Sequence, residues 1–401
     1  MGGRQGSRRR LIPAGMPDAV DSGVLEAVSP GNITAALAVA RLSDTRSPNR
    51  EALEMHRLWM LAAVPLAIGL EWSDAHPMIV FCASLAAIIP LVGIMGSATE
   101  HLASTLGPTV GGLLNSTLNN LPELIIGGVA LAHGLSGVVK ASLTGAILAN
   151  LLVSLGLALI SGGLRHGEQQ FDSRRLRVSA SMLMICAFGF IVPAVFNLGT
   201  PEGTRDLSLE MSLVLVAIYA INVAVTLFST SGGTGLMVDE AFAEEPAGSS
   251  VWRSLATLIV AAGFLGFMSE LLSKSLEPTA RQLGLSNTFS GLVLLGGIGS
   301  IGEILASSHF ARQGRPSLVL SATVGSSIQL MLLVAPLLVF GGRILGQPMD
   351  LAFTSFEVVA IVLATLITRE LIQDGKANWF EGALLLAVYL ILAIGFFHLP
   401  D

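Results

Sequence analysis

The chain has 401 residues, of which 52% are hydrophobic and only 12% charged, with a formal net charge of −6. A soluble chain of this length would fold as roughly two or three domains with a charged surface; this composition excludes that class and points to a polytopic membrane protein. The small net charge gives no footing for a nucleic-acid partner, and Cys82 and Cys186 sit in apolar runs without metal-ligand spacing, as small buried hydrophobes do.

Residues 1–55 are rich in Gly, Ser, Pro and Arg and are expected to form a disordered N-terminal tail, with translation starting at Met1, Met16 or Met55. The first apolar run begins near Leu58, too far along the chain for a cleavable signal peptide. Apolar runs then predict about eleven transmembrane helices, over 58–70, 78–96, 107–131, 139–162, 178–196, 209–228, 251–272, 288–310, 318–340, 353–368 and 383–397. The first is short and stands apart. The other ten divide into five and five, and an odd number of spans per copy forces the second copy to enter the membrane from the opposite side. The expected organisation is therefore all-α: a first helix plus a first five-helix repeat over 56–230, an acidic cytoplasmic linker over 231–250, and an inverted second repeat over 251–401. The linker carries Asp239, Glu240, Glu244 and Glu245, and reads either as a solvated connection or as a patch that concentrates cations. Arg165, Arg174, Arg175 and Arg177 lead an excess of basic residues on one set of loops, which places the N-terminus in the cytoplasm.

One stretch carries the chemistry. Gly107–Ala130 is apolar enough to cross a bilayer, yet its centre reads Asn119-Asn120-Leu121-Pro122-Glu123. A carboxylate at the middle of a spanning helix costs about 2.5–3.5 kcal/mol on insertion scales and marks a functional site by default. Pro122 has no N–H for the Leu118 carbonyl and breaks the helix there. Gly291–His309 repeats the pattern, with Ser300-Ile301-Gly302-Glu303 and loosening glycines in place of the proline. One offset superposes Glu123 on Glu303 and Gly145 on Gly325. Paired broken helices with matching acids are the sequence mark of a midplane transport site built by internal repeats.

Calcium takes six to eight oxygens from carboxylates, amides, backbone carbonyls and water. Glu123 and Glu303 are the candidate metal ligands, with Asn120, Ser300 and carbonyls near Leu118 and Ile298 completing the cation site. Asn150 and Gln329, on the following helices, are placed to orient the acids or line the path. Asn120-x-x-Glu123 and Ser300-x-x-Glu303 also have the form of capping boxes, which would fix each acid at the start of its second half-helix. The same oxygens would hold a divalent ion or protons but not both, which is antiport in chemical terms. No HExxH motif and no convincing nucleophile triad is present, so no enzyme is expected.

Six segments in order then carry a family resemblance: SATEHLA at 97–103, GGLLNST at 111–117, SLTGAILANLLVSLGLALISGG at 142–163, SLEPTARQLGLS at 275–286, VGSSIQ at 324–329 and DGKANWFEG at 374–382. The chain resembles the calcium/proton antiporters, the cation exchanger (CAX) branch of the calcium/cation antiporter superfamily. That resemblance implies eleven helices with inverted repeats of five, calcium and protons as cargo with no cofactor, and the lipid bilayer of a bacterial plasma membrane as the setting. It also implies that Glu100 and Glu270 relay protons or cations toward the site. The motifs depart from the family in two places. Leu121-Pro122-Glu123 stands where that branch has Ala-Thr-Glu, and looks more like the sodium/calcium exchanger branch; Ser300 and Ile304 replace an amide and a histidine. A sodium-coupled or manganese-selective exchanger is the alternative that these departures leave open.

Because none of the segments that carry the resemblance lies in residues 1–54, their deletion is expected to leave cation flux in vesicles unchanged. Loss of flux with normal membrane insertion would assign the tail a function.

Overall fold

The computed structural model describes residues 62–73, 75–106, 108–196, 200–228 and 251–399. The expected tail over 1–55 and linker over 231–250 lie outside the described residues. The chain runs through α1 (Ala63–Trp72), α2 (Pro77–Ser104), α3 (Pro108–Asn119), α4 (Leu121–Ala132), α5 (Ser136–His166), α6 (Ser173–Val195) and α7 (Pro201–Phe228). It continues through α8 (Val251–Leu283), α9 (Asn287–Gly299), α10 (Ile301–Arg312), α11 (Pro316–Ile344), α12 (Ser355–Ile372) and α13 (Trp379–Phe397). Two-residue strands β1 (Gln169–Gln170) and β2 (Lys376–Ala377) pair antiparallel and fasten the α5–α6 loop to the α12–α13 loop. Lys376 reinforces this bridge with an ion pair to Glu168 at 2.9 Å.

With α3–α4 and α9–α10 each counted as one broken span, the described helices follow the order of the eleven expected from the sequence. By length and apolar content alone, seven helices qualify as membrane spans, and the α9–α10 pair, bent by 47°, makes an eighth. The shortfall has local causes. α1 is ten residues long, α3 and α4 are twelve each, and α12 carries Glu357 in its first turn and Arg369 and Glu370 near its last.

The two breaks are built alike. Asn120 (φ −91°, ψ 10°) separates α3 from α4, and Ser300 (φ −84°, ψ 7°) separates α9 from α10. α4 and α10 are both twelve residues long. Each ends in a turn through a glycine with positive φ, Gly134 at 77° and Gly314 at 70°, a conformation that side-chain-bearing residues rarely adopt. In each turn the N–H three residues beyond the helix reaches back to close the last carbonyls, Leu135 to Ala130 and Arg315 to Phe310, both at 3.1 Å. Pro122 in the first turn of α4 enforces the first break, while the second follows a π-helical stretch, Ser290–Gly296, in a run of glycines. π-Helical turns also interrupt α5 at Ala149–Ser154 and α11 at Ser321–Gly325 and Leu330–Val334.

The expected capping boxes are not formed at these breaks. Neither Asn120 nor Ser300 makes a side-chain cap, because both hold near-helical dihedrals and not the extended conformation a cap needs. Capping boxes form instead at Thr354–Glu357 and Asn378–Glu381, starting α12 and α13.

Packing divides into two hydrophobic clusters. One joins α1, α2 and α8 through residues such as Val64, Phe81, Leu91, Leu265 and Leu272. The other gathers α5, α6, α7, α11, α12 and α13. The broken helices straddle them: Ile126 of α4 belongs to the first, and Ala130 and Leu131 to the second. α5 and α11 are the central helices, with 83% and 72% of their apolar windows buried, against 17% for α13 at the periphery.

α5 meets α9 backbone to backbone. A Cβ on Gly145 would strike the Leu292 carbonyl, and one on Gly296 would lie 2.6 Å from the Ser142 carbonyl oxygen. Gly145→Ala is therefore expected to overpack this contact and cost roughly 1–3 kcal/mol, read by thermal unfolding in detergent. Gly128→Ala, where nothing lies within 4 Å, serves as the neutral control.

Candidate functional site

The helix breaks put the two acids at equivalent positions in their half-helices. Glu123 lies in the first turn of α4 and Glu303 in the first turn of α10, each facing inward with only 8% and 7% of its surface exposed. They are within electrostatic reach of one another. The second break packs against the Glu123 carboxylate: a Cβ placed at Gly299 would lie in ordinary contact with its Oε1, at 3.6 Å. Glu123 Oε2 is buried without a hydrogen-bond partner. It borders a cavity of about 10 Å3 whose wall includes Ser142, Ala146, Gly296 and Gly299, a space on the scale of a single water or ion.

The neutral candidates divide between the half-sites. The Asn120 amide donates to Gln329 Oε1 at 2.7 Å, joining the first break to the α11 helix. Ser300 donates to the Ala146 carbonyl at 3.4 Å, joining the second break to α5. One turn beyond Ala146 stands Asn150, fully buried in the π-helical turn, with neither its Oδ1 nor its Nδ2 bonded. A buried amide left unpaired costs about 1–3 kcal/mol per group, and such groups with π-helical distortion are a common mark of functional positions. Among the described residues no group of three or more His, Cys, Asp and Glu side chains is arranged to hold a metal. A cation held here would take two carboxylates and complete its shell from neutral oxygens, which suits a hard ion such as calcium.

Glu100 and Glu270 stand elsewhere. Glu100 is exposed in the last turns of α2. Glu270, on α8, pairs with Lys274 at 3.0 Å and with His133 Nε2 at 3.3 Å. Neither lines the cavity at Glu123.

Two contacts near the site were not anticipated. Tyr219 of α7 donates to Thr117 at 2.7 Å, since the threonine hydroxyl itself donates to the Leu113 carbonyl; this fixes α3 one turn before its break. The signal was present in composition, as Tyr219 is one of two tyrosines in the chain and lies in an apolar span. Ser142 at the cavity wall sat unremarked inside a longer motif.

An all-helical membrane fold in which two broken helices bring buried carboxylates together is that of a secondary transporter. The profile of the sodium/calcium exchanger protein family matches residues 76–228 and 253–397, and the chain belongs to that family. It is 37% identical over 360 residues to a Ca(2+)/H(+) antiporter of Aphanothece halophytica, covering 85% of this chain and 96% of that protein. It is 35% identical over 359 residues to the Ca(2+)/H(+) antiporter ChaA of Bacillus subtilis, covering 86% of this chain and all of that protein. The solved structure of native YfkE superposes with a TM-score of 0.74 at 33% identity, covering 86% of this chain and 100% of that one. The protein is thus an integral membrane transporter.

Removing the acceptor from the Asn120 amide is expected to loosen the first break. Gln329→Leu should lower stability by roughly 1–3 kcal/mol, measured by thermal unfolding of the purified protein.

Proposed function

We propose that the protein exchanges calcium, or a related divalent cation, for protons across a bacterial plasma membrane by alternating access. The observation that carries this reading is the buried pair Glu123 and Glu303, one oxygen of which has no partner in the protein. Two carboxylates in one apolar site repel each other, so the pair is relieved either by protons or by a divalent ion. Loading one expels the other. The names of the relatives with more than a third of their residues identical agree with this cargo.

In this reading Glu123 and Glu303 ligate the cation, Asn120 and Ser300 hold the two breaks beside it, and Asn150 and Gln329 line or support the site. Glu100 and Glu270 serve delivery and not ligation. The two halves of the chain, 56–230 and 251–401, are inverted copies apart from the first helix. Matching breaks, twelve-residue half-helices and turn glycines support that division. The basic loops support a cytoplasmic N-terminus.

Glu123→Gln and Glu303→Gln are each expected to reduce pH-gradient-driven calcium uptake into vesicles to background. Glutamine keeps the volume and an acceptor oxygen but removes the charge and the titrating proton. A divalent ion facing one carboxylate retains net charge in a buried site, which costs several kcal/mol. Glu100→Gln should instead shift the pH dependence. Parallel assays with a sodium gradient and with manganese decide the cargo. Robust proton-driven calcium uptake by Glu303→Gln would overturn the two-carboxylate site.

A further inference from the structure

The hydrophobic interior is divided, and the division leaves a joint. α1, α2 and α8 share one cluster, and the α5- and α11-centred helices share the other. Of the ion pairs between described residues, one crosses from the first body to a helix of the site: His133 Nε2 to Glu270 Oε1, at 3.3 Å. Glu270 belongs to α8. His133 caps the C-terminal end of α4, the half-helix whose first turn carries Glu123.

The ring makes a second contact. Its Nδ1 lies 3.0 Å from the Val129 carbonyl oxygen. A carbonyl oxygen and an ionised carboxylate are acceptors only, so both ring nitrogens must donate to satisfy this geometry. Only the protonated imidazole has two N–H donors. The neutral ring would set a lone pair against one of the two oxygens and lose that contact. Glu270 would then keep Lys274, four residues along α8, as its cation at 3.0 Å.

Among the described residues, the elements packed most closely on α4 supply no other charge for this role. On α8 the charged groups facing the ring are Glu270 and Lys274. On α5, Lys140 is engaged by Asp350 at 3.0 Å and the Ala352 carbonyl at 2.9 Å. On α11, Arg343 lines a separate cleft with Glu202 and Asp206. α3 and α9, which also pack near α4, carry no charged residue. The residue next to His133, Gly134, has the neutral Gln347 side chain beside it.

We propose that His133 and Glu270 form a proton-dependent latch on the membrane face that carries the α4–α5 turn, tying the end of the Glu123 helix to the α1–α2–α8 body. The proposal rests on the alternating-access reading above. In the latch they are positioning residues: neither ligates the cargo, and they act by holding two packed bodies together. Acidification of that face engages the latch and opposes separation of the bodies there. Alkalinisation releases it, leaving Glu270 with Lys274.

The test uses the full-length protein in vesicles and two readouts. In calcium flux measured from about pH 5 to 8 on the latch face, His133→Gln is expected to raise the acid-side rate about two- to fivefold, the range that a partly exposed ion pair commands. His133→Lys keeps a cation at every pH, so it should leave the acid-side rate unchanged and depress the alkaline rate by a similar factor. The second readout is independent of the cargo. Spin labels on Leu283→Cys of α8 and Ile344→Cys of α11, both exposed, report the separation of the two bodies. Exposed Cys82 is replaced by serine, and Cys186 is buried. The short-distance population should grow on acidification in the otherwise native protein, stay constant with pH in His133→Gln, and persist at pH 8 in His133→Lys. A pH response of the label distances that survives His133→Gln overturns the latch, as does a His133→Lys protein that behaves like His133→Gln. If the cargo assignment were wrong, the flux arm would fail while the label distances still followed the latch.

Discussion

Everything in this molecule is arranged around two carboxylates that an apolar interior would not otherwise admit. Glu123 and Glu303 each stand one turn after a helix break, where freed backbone groups and a half-helix N-terminus favour negative charge. The breaks in turn need protection, since loose backbone at membrane depth survives only where protein or a polar cavity surrounds it. That protection comes from α5 and α11, the most enclosed helices. Gly145 of α5 allows backbone-to-backbone approach, and polar groups of both helices, the Gln329 side chain on α11 and the Ala146 backbone carbonyl of α5, meet Asn120 and Ser300 at the breaks.

The constraint explains which parts were legible in the sequence. A glutamate and a proline inside an apolar span violate the rules for such spans, so the first break stood out from residues 119–123 alone. The second was found by its offset from the first, because glycines and a serine announce a break only weakly. The helix order was readable for the same reason: apolar length is a strong, local signal. Its failures were local too. α12 is charged at both ends, and the broken half-helices are too short to qualify singly.

Contacts between distant segments were not legible. Asn120-x-x-Glu123 has the form of a capping box, yet the Asn120 amide is committed to Gln329, 209 positions away. A local pattern is overridden whenever tertiary structure offers the same side chain a buried partner. Tyr219 and Thr117 meet in the same way, and so do His133 and Glu270. Glu270 attracted notice as an acid in a span, but its partner could be seen only once α4 and α8 were packed together.

The two halves match in backbone more closely than in chemistry. Asn120 reaches across to Gln329, an amide-to-amide bond that satisfies both side chains in part. Ser300, at the equivalent break, is too short to do the same and settles on the Ala146 carbonyl. The consequence falls on Asn150, whose amide stays buried and unpaired in its π-helical turn. An inverted repeat with identical half-sites would offer a cation a symmetric cage, equally closed from either side. Here each break carries one hydrogen bond, and the groups left without partners, Glu123 Oε2 at the small cavity and the Asn150 amide, do not mirror one another. On the proposed reading, that inequality decides where the site responds: a cation, water or proton arriving at Glu123 Oε2 or at the Asn150 amide satisfies groups that the protein alone leaves without partners, whereas at Asn120 and Ser300 it must compete with bonds already made.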